Sequence, residues 1–259
     1  MIDCHIHLER GPYTIEWLEQ FVQTAIDRGL EEIYLLEHTH LFSEFAPMYH
    51  SICQYSEYQR EWFNRHNGNR SLREYIDFIE MARQQSYPVK LKFGMEVCYF
   101  EESEPFIEEL LHRITLDFVT GSVHWIDGFG FDHKKELWKG QEIDGLYKRY
   151  YEMMEHLITS RLFTGVAHPD SIKVFGHQPS YDLSDTYLKI AGLLRRYDMY
   201  AEQSGGLHLN YGVDRELGMN SRMLKIFQEQ GVRILTASDA HCPENTGSNI
   251  KELSELLYH

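Results

Sequence analysis

The sequence lacks several features that would each have placed it in another class of protein. It has no continuous run of about 18 apolar residues, so no membrane-spanning helix is predicted. Its 25 lysines and arginines face 40 aspartates and glutamates, and this net charge of −15 argues against a nucleic-acid or membrane partner. The chain begins Met1-Ile2-Asp3 without a basic and then an apolar segment, so no secretion signal is predicted.

Cysteine is also scarce, and the four cysteines show no CxxC spacing: Cys4, Cys53, Cys98 and Cys242. A disulfide framework or a structural zinc finger would need closer and more regular spacing. The pattern therefore favours a reducing, cytoplasmic location.

The length of 259 residues is long for an ordinary domain but normal for one α/β barrel. Seven short apolar segments alternate with amphipathic helical ones, and the predicted strands are 1–7, 32–36, 89–97, 118–123, 163–167, 199–202 and 232–237. Alternation of this kind indicates a parallel sheet, and a closed barrel is its economical form at this length. With no linker or repeat, residues 1–259 are predicted to form one domain.

Two segments interrupt the alternation. Residues 41–70 are rich in aromatic side chains but lack strand periodicity, so we expect an insertion of short helices and loops over one end of the barrel. Its aromatic residues could cover a site or simply pack against the barrel. Residues 125–130 are predicted to be a glycine-rich loop.

What is abundant is histidine, and the histidines favour the ends of predicted strands. His5 and His7 lie two apart on the first strand, where they could share one metal ion, although a hydrogen-bonded surface pair explains them equally well. Since parallel strands open onto one face of a barrel, eight residues are expected to converge there as metal ligands: His5, His7, His38, Glu96, His124, His168, Asp239 and His241.

Six imidazoles and two carboxylates exceed the needs of one tetrahedral ion. We therefore expect at least two divalent ions (zinc, iron or manganese), with Glu96 or Asp239 bridging them. Paired ions suit phosphoryl transfer, with a metal-bridging hydroxide as the nucleophile.

The motifs that carry these ligands resemble those of the polymerase and histidinol phosphatase (PHP) superfamily. They are His5-x-His7, Glu37-His38, Gly94-x-Glu96, Gly121-Ser122-Val123-His124, Ala167-His168-Pro169-Asp170 and Ser238-Asp239-Ala240-His241. Within it the chain looks most like the histidinol-phosphate phosphatase branch. The resemblance implies a distorted (β/α)7 barrel, a metal site at the C-terminal face of the strands, and hydrolysis of L-histidinol phosphate.

The resemblance also implies which ligands share an ion. One ion would use His5, His7, Glu96 and Asp239, and a second would use Glu96, His124 and His168. A third would use His38 and His241 plus a histidine for which this chain has Tyr13. Two or three ions are therefore expected, and the candidate replacements for the third ligand are Glu9, Glu16 and His40.

The remaining roles are assigned more loosely. Asp239 or His241 could orient the hydroxide or pass a proton to the leaving group. Arg10, His40 and Lys173 are the candidate phosphate anchors, although a solvated surface charge explains each equally well. Carboxylates could receive the ammonium or imidazole of the substrate or could orient metal-bound histidines, and we favour the second role for Glu37 and Asp170.

Three other functions compete with this hypothesis. The same centre could act on a phosphotyrosine peptide or another small phosphate ester. Metal-dependent amidohydrolases also begin with His-x-His, but they usually place a lysine or glutamate mid-barrel, and no lysine ends a predicted strand here. A degenerate metal-binding domain without activity would not need so complete a ligand set.

Overall fold

The structure, a computed structural model, describes residues 1–258, and seven parallel strands form its main sheet. In spatial order they are β1 (Ile2–His7), β2 (Glu32–Leu36), β3 (Lys90–Cys98), β4 (Phe118–Ser122), β7 (Gly165–Val166), β8 (Tyr200–Ser204) and β9 (Ile234–Ala237). Strands β5 (Trp125–Ile126) and β6 (Phe129–Gly130) form a separate antiparallel hairpin. The predicted seven parallel strands are confirmed.

Ten α-helices in the described part of the chain surround and cap the sheet: α1 (Ile15–Asp27), α2 (His50–Tyr55), α3 (Glu57–His66), α4 (Leu72–Arg83), α5 (Glu104–Leu111), α6 (Ile143–Ser160), α7 (Ser184–Arg196), α8 (Gly206–Tyr211), α9 (Ser221–Glu229) and α10 (Ile250–Leu256). Side-chain caps start several of them. Thr14 accepts a hydrogen bond from the Trp17 amide, and Ser71 accepts one from the Glu74 amide. Among these helices none has the length and apolar character needed to cross a bilayer.

The sheet curls into a barrel, because residues of strands that are not adjacent meet inside it. The ring of Tyr34 on β2 lies 4.8 Å from that of Phe118 on β4 and 6.5 Å from that of Tyr200 on β8. These residues belong to one small apolar cluster with Cys4 and Ala237 from the two edge strands. Contacts across so many strands require a nearly closed barrel.

The barrel closes through side chains more than through a backbone ladder. Between the edges β1 and β9 the His7 amide donates to the Ala240 carbonyl at 2.8 Å. The buried carboxylate of Asp3 accepts hydrogen bonds from the backbone and hydroxyl of Ser238 at 2.8 and 2.6 Å and from the Gly247 amide at 2.8 Å. This irregular seam accounts for the distorted form of the predicted barrel.

The predicted glycine-rich loop at 125–130 is wrong in detail, because these residues form the β5–β6 hairpin. Its two central residues, Asp127 and Gly128, have φ angles of 49° and 90°. Positive φ at both positions is the mark of a type I′ turn, whose twist suits a hairpin. Arg149 on α6 donates to both Asp127 carboxylate oxygens at 3.0 Å. Strands of two residues are too short to show a period in the sequence.

The segment 41–70 contains 3₁₀ turns, α2 and α3, as expected of an insertion of short helices. Its aromatic residues divide between the two predicted roles. Phe42, Phe45 and Tyr49 are fully buried in the core, whereas Tyr58 and Trp62 line a cavity at the C-terminal face of the strands. That the whole chain is one domain carrying this insertion stays a prediction.

Candidate metal centre

A single carboxylate, that of Glu96 on β3, lies at the middle of the predicted ligands. It is 1% exposed. Its Oε2 lies 2.8 Å from His38 Nδ1 and 3.3 Å from His5 Nε2. Its Oε1 lies 2.9 Å from His124 Nε2 and 3.2 Å from His168 Nε2. The two oxygens of one carboxylate therefore face two different sets of imidazoles.

The first set is the more deeply buried. The Nε2 atoms of His5 and His7 lie 2.9 Å apart, and both side chains are fully buried. Asp239 Oδ1 lies 3.6 Å from the former nitrogen and 3.7 Å from the latter. Together with Glu96 Oε2 these atoms form a compact group of metal donors at the end of β1.

The second set consists of His124 and His168, which face Glu96 Oε1. A third group of donors comprises His7, His38 and His241. The ring centroid of His7 is 4.0 Å from that of His38 and 4.5 Å from that of His241, with the rings stacked. These three residues can offer nitrogens within 4.8 Å of one another. Glu9 Oε1 lies 3.6 Å from His241 Nε2 and adds a carboxylate to this group.

The protonation states of two imidazoles favour metal binding. Burial alone would lower the pKa values of His5, His38 and His124, but the carboxylates beside them raise these values, so these three must release a proton to bind an ion. Burial and the neighbouring imidazoles of His38, His241 and His5 hold the pKa of His7 well below its usual value, and burial lowers that of His241. Both imidazoles are therefore neutral at pH 7 and keep a lone pair for a ligand. Burial alone would raise the pKa of Glu96, but the histidines around it lower that pKa well below its usual value.

Two buried imidazole nitrogens at the centre have no hydrogen-bond partner: His7 Nδ1 and His168 Nδ1. Glu96 is surrounded by imidazoles, and in the described part of the chain no lysine or arginine pairs with it. Leaving polar atoms buried without a partner is costly. Imidazole nitrogens and carboxylate oxygens are the donors that zinc, iron and manganese accept, so the residues present fit divalent ions.

Two residues that orient these histidines were missed by the sequence reasoning. Glu202 on β8 lies with both oxygens 3.0 Å from His5 Nδ1. Asp132, just after the hairpin, lies with Oδ2 2.7 Å from His124 Nδ1. Glu202 closes the predicted sixth strand, so its place at a strand end was a usable signal. Asp132 had none, because the hairpin was not predicted.

The structure separates the candidate replacements for the third-site histidine. The ring of Tyr13 packs at 5.3 Å from that of Tyr75 and at 5.8 Å from that of Phe78. Glu16 is exposed in the first turn of α1. His40 stacks beside His38, with ring centroids 4.8 Å apart. Of the three candidates, Glu9 is the carboxylate that contacts His241.

Two of the three predicted phosphate anchors line the cavity, namely Arg10 and His40. The third, Lys173, is not among the lining residues, and its placement contradicts that role. Its ammonium lies 2.8 Å from Asp170 Oδ2 and donates to the Gly218 carbonyl at 2.7 Å. Asp170 also accepts from the Asn220 amide, so its contacts go to Lys173 and Asn220 and not to a histidine.

Helix α8, which follows strand β8, holds Asp239 through a hydrogen-bonding side chain. Asn210 on this helix donates to the carbonyl and the Oδ2 of Asp239 at 3.0 and 3.1 Å. A Cβ on Gly206 would lie only 2.1 Å from that Oδ2, so only glycine fits there. With six residues, the helix was too short to be predicted from periodicity.

The centre opens into a cavity of about 420 Å³. Predicted ligands line its inner end, and its walls carry aromatic and polar side chains. The lining residues are Glu9, Arg10, His38, His40, Tyr58, Trp62, His124, Trp125, Asp132, His133, His168, Asn210, Tyr211, Asp239 and His241. The volume is in the range of small-molecule sites.

Comparison with known proteins agrees with this centre. The sequence model of the PHP domain matches residues 3–204, which is more than half of the chain. The chain belongs to the PHP domain family. The resemblance stated from the motifs is thereby confirmed.

Relatives in this PHP family span nearly the whole chain. A protein of Deinococcus radiodurans named probable histidinol-phosphatase is 27% identical over 267 aligned positions, covering 99% of this chain and 94% of the relative. One of the same name from Schizosaccharomyces pombe is 24% identical, covering 90% and 77%. The histidinol phosphate phosphatase of Lactococcus lactis, solved with zinc, L-histidinol and phosphate, superposes with a TM-score of 0.73 at 18% identity, covering 99% and 92%. The last similarity confirms the fold.

Proposed function

We propose that this PHP protein is a metal-dependent phosphomonoesterase that hydrolyses L-histidinol phosphate to L-histidinol and phosphate. The observation that carries the proposal is that the two carboxylate oxygens of Glu96 face different histidines. Its Oε2 faces His5 and His38, and its Oε1 faces His124 and His168. A carboxylate shared in this way suits two neighbouring ions, which is the arrangement used for in-line displacement at phosphorus.

The proposed ligand sets follow the contacts. His5, His7, Glu96 and Asp239 would hold one ion, and Glu96, His124 and His168 would hold a second. Zinc is the first ion to test, because imidazole-rich sets suit it and the Lactococcus lactis phosphatase was solved with zinc.

A third ion is proposed at His38 and His241, with Glu9 in place of the expected histidine. Glu9 Oε1 already lies 3.6 Å from His241 Nε2. A carboxylate is an acceptable zinc, iron or manganese ligand. Tyr13 therefore changes the identity of the third ligand without removing the site.

Divalent ions bound there would lower the pKa of water to near neutrality and neutralise phosphoryl oxygens. The protein supplies the proton transfers and the positioning. As a ligand of the third ion, His241 has its other ring nitrogen against the Asp239 carbonyl, so the carboxylate of Asp239 is the group that can accept a proton from the attacking water and later return one to the leaving alkoxide. Asp239, held by Asn210, orients the attacking water, and Arg10 at the cavity opening neutralises the outer phosphate oxygens.

The cavity walls suit the leaving group of this substrate. Tyr58, Trp62 and Tyr211 present aromatic surface to a small ring such as imidazole. The carboxylate of Asp132 makes the wall favourable for an ammonium group. The names of the Deinococcus and Schizosaccharomyces relatives support the same substrate. No lysine is among the lining residues in the described chain, so the carbamylated-lysine type of amidohydrolase centre finds no support.

The test is phosphate release from L-histidinol phosphate by protein whose metal content has been measured. We expect a high kcat/KM that is lost with chelator and in His124→Ala. The matched control is His156→Ala, which removes a histidine paired with Glu101 on the surface and should retain full activity.

Phosphotyrosine peptide, 4-nitrophenyl phosphate and an amide serve as comparison substrates. Greater kcat/KM with another phosphate ester would overturn the substrate but keep the reaction class. Amide hydrolysis without phosphate release would overturn both. All four cysteines carry free thiols, which supports a cytoplasmic setting for the reaction.

A further inference from the structure

Glu202 is a fully buried carboxylate whose hydrogen bonds all go to the metal centre. Both its oxygens lie 3.0 Å from His5 Nδ1, and its Oε2 also accepts from the His168 backbone amide at 3.2 Å. It is 0% exposed, and in the described chain no lysine or arginine forms an ion pair with it. Burying a carboxylate is costly unless its oxygens are paired, and the partners of Glu202 are all at the metal centre.

The two partners of Glu202 belong to different ion sites in the proposed function. His5 is a ligand of the first set, and His168 is a ligand of the second. The contact to His5 fixes a side chain, whereas the contact to His168 fixes the backbone. The His168 backbone requires such a contact, because its φ angle of +29° is one that residues other than glycine rarely adopt.

We infer that Glu202 is a positioning residue that couples the two ion sites, so that filling one strengthens binding at the other. The inference rests on the proposed two-ion centre but not on its substrate.

The physical reason lies in the hydrogen bonds. When His5 uses its Nε2 lone pair as a ligand, its proton must sit on Nδ1, and Glu202 accepts the hydrogen bond from it. The carboxylate is then held where its Oε2 also accepts from His168 N–H. An ion at either site therefore fixes Glu202 in the position that the other site also needs. The second ion then binds without the entropy cost of ordering this side chain, and the binding of the two ions is positively cooperative.

Glu202→Gln tests the coupling with little change in shape. Glutamine replaces one of the two oxygens that face His5 Nδ1 with an NH2 group, which places a donor against a donor, and its neutral oxygen is a weaker acceptor for the His168 amide. Metal-free protein is titrated with Co²⁺, followed by its visible absorption, and with Zn²⁺ against a competing chelator. We expect wild type to bind two ions cooperatively, and the variant to lose about 10- to 100-fold in affinity for both ions together with the cooperativity.

Tyr200→Phe is the matched control, since it removes a buried hydroxyl from the same strand. That hydroxyl contacts Thr120 and no ligand, so ion binding should not change. Glu202→Asp keeps the charge with a shorter reach. If Glu202→Gln does not fold, as judged by circular dichroism, this variant should give a smaller loss of the same kind.

The outcomes separate this inference from the proposed function. Loss of affinity for one ion alone, or a Glu202→Gln variant that binds like Tyr200→Phe, would overturn the coupling. Fewer than two ions in wild type would overturn both proposals. Cooperative binding of two ions by a protein that does not release phosphate from L-histidinol phosphate would overturn only the substrate.

Discussion

The metal centre has a buried floor and a more open rim, and the two differ in how the chain positions them. On the floor, the side chains of His5, His7 and Glu96 are at most 1% exposed. On the rim, those of His38, His124, Asp239 and His241 are 14–19% exposed. Floor ligands lie within strands, whereas rim ligands lie on the residues that follow them.

This difference separates two tasks. A strand fixes its residues through the backbone ladder, so the floor can hold an ion in a rigid geometry. The rim depends on contacts between side chains, such as Asp132 with His124 and Asn210 with Asp239, and it faces the cavity where a substrate would enter. We therefore expect floor substitutions to abolish ion binding and rim substitutions to weaken it.

The largest effect is expected for Glu96→Gln on the floor. It removes the carboxylate that both imidazole sets share, so bound ions should fall below one per chain and kcat/KM should drop by about 10³-fold or more. Elemental analysis and phosphate release would measure this. Glu102→Gln, an exposed glutamate, is the control and should behave as wild type. Two tightly bound ions in Glu96→Gln would refute the central place of this residue.

A smaller effect is expected for Asp132→Asn on the rim. The variant loses the carboxylate that orients His124, and ion affinity at the second set should fall by about 10- to 100-fold. Asp127→Asn in the preceding hairpin is the matched control, because Asp127 pairs with Arg149 on the surface. Chelator competition would give the affinities, and equal values for the two variants would remove Asp132 from the site.

The stability of the metal-free protein should depend on pH through His124, one of the rim residues. Burial alone would lower the pKa of His124, but Asp132 and Glu96 outweigh it and raise it to about 10. Because the folded pKa exceeds the unfolded value of 6.5, the stabilisation is complete below pH 6.5 and is lost as pH rises through 10.

As the pH rises from 6.5 to 8.5, the lost contribution of His124 alone should lower the free energy of unfolding by about 2 kcal/mol. Urea unfolding of chelator-treated protein would measure the change, with Asp132→Asn for comparison. The slope with pH should be shallower in that variant. An unchanged slope would mean that Asp132 does not set the pKa of His124.

The smallest effect is expected at the outermost ligand. Glu9→Gln should cost the third ion while two remain, with kcat/KM reduced less than about tenfold because the shared Glu96 is untouched. Glu16→Gln on the exposed face of α1 is the matched control. Three ions retained in Glu9→Gln would show that this carboxylate is not the third-site ligand.

The strand-end residues could be predicted because the barrel rule acts on each strand separately. Each of the eight candidate ligands follows or lies in an apolar run, and parallel strands bring such ends together whatever their order. Roles that depend on a specific pair were not visible. Asp132 lies beside His124 because of an unpredicted hairpin, and Lys173 pairs with Asp170 and Glu216 instead of lining the cavity.

The sequence by itself determined the barrel, its caps and the positions of the ligand-bearing strand ends, because hydrophobic periodicity and capping are local properties. Only the tertiary structure decided that Glu96 divides its oxygens between two imidazole sets, that Glu9 stands beside His241 and that Glu202 contacts both His5 and His168. Those contacts join residues tens to hundreds of positions apart in the chain. Such residues come within contact distance only when the strands pair and the sheet closes into a barrel.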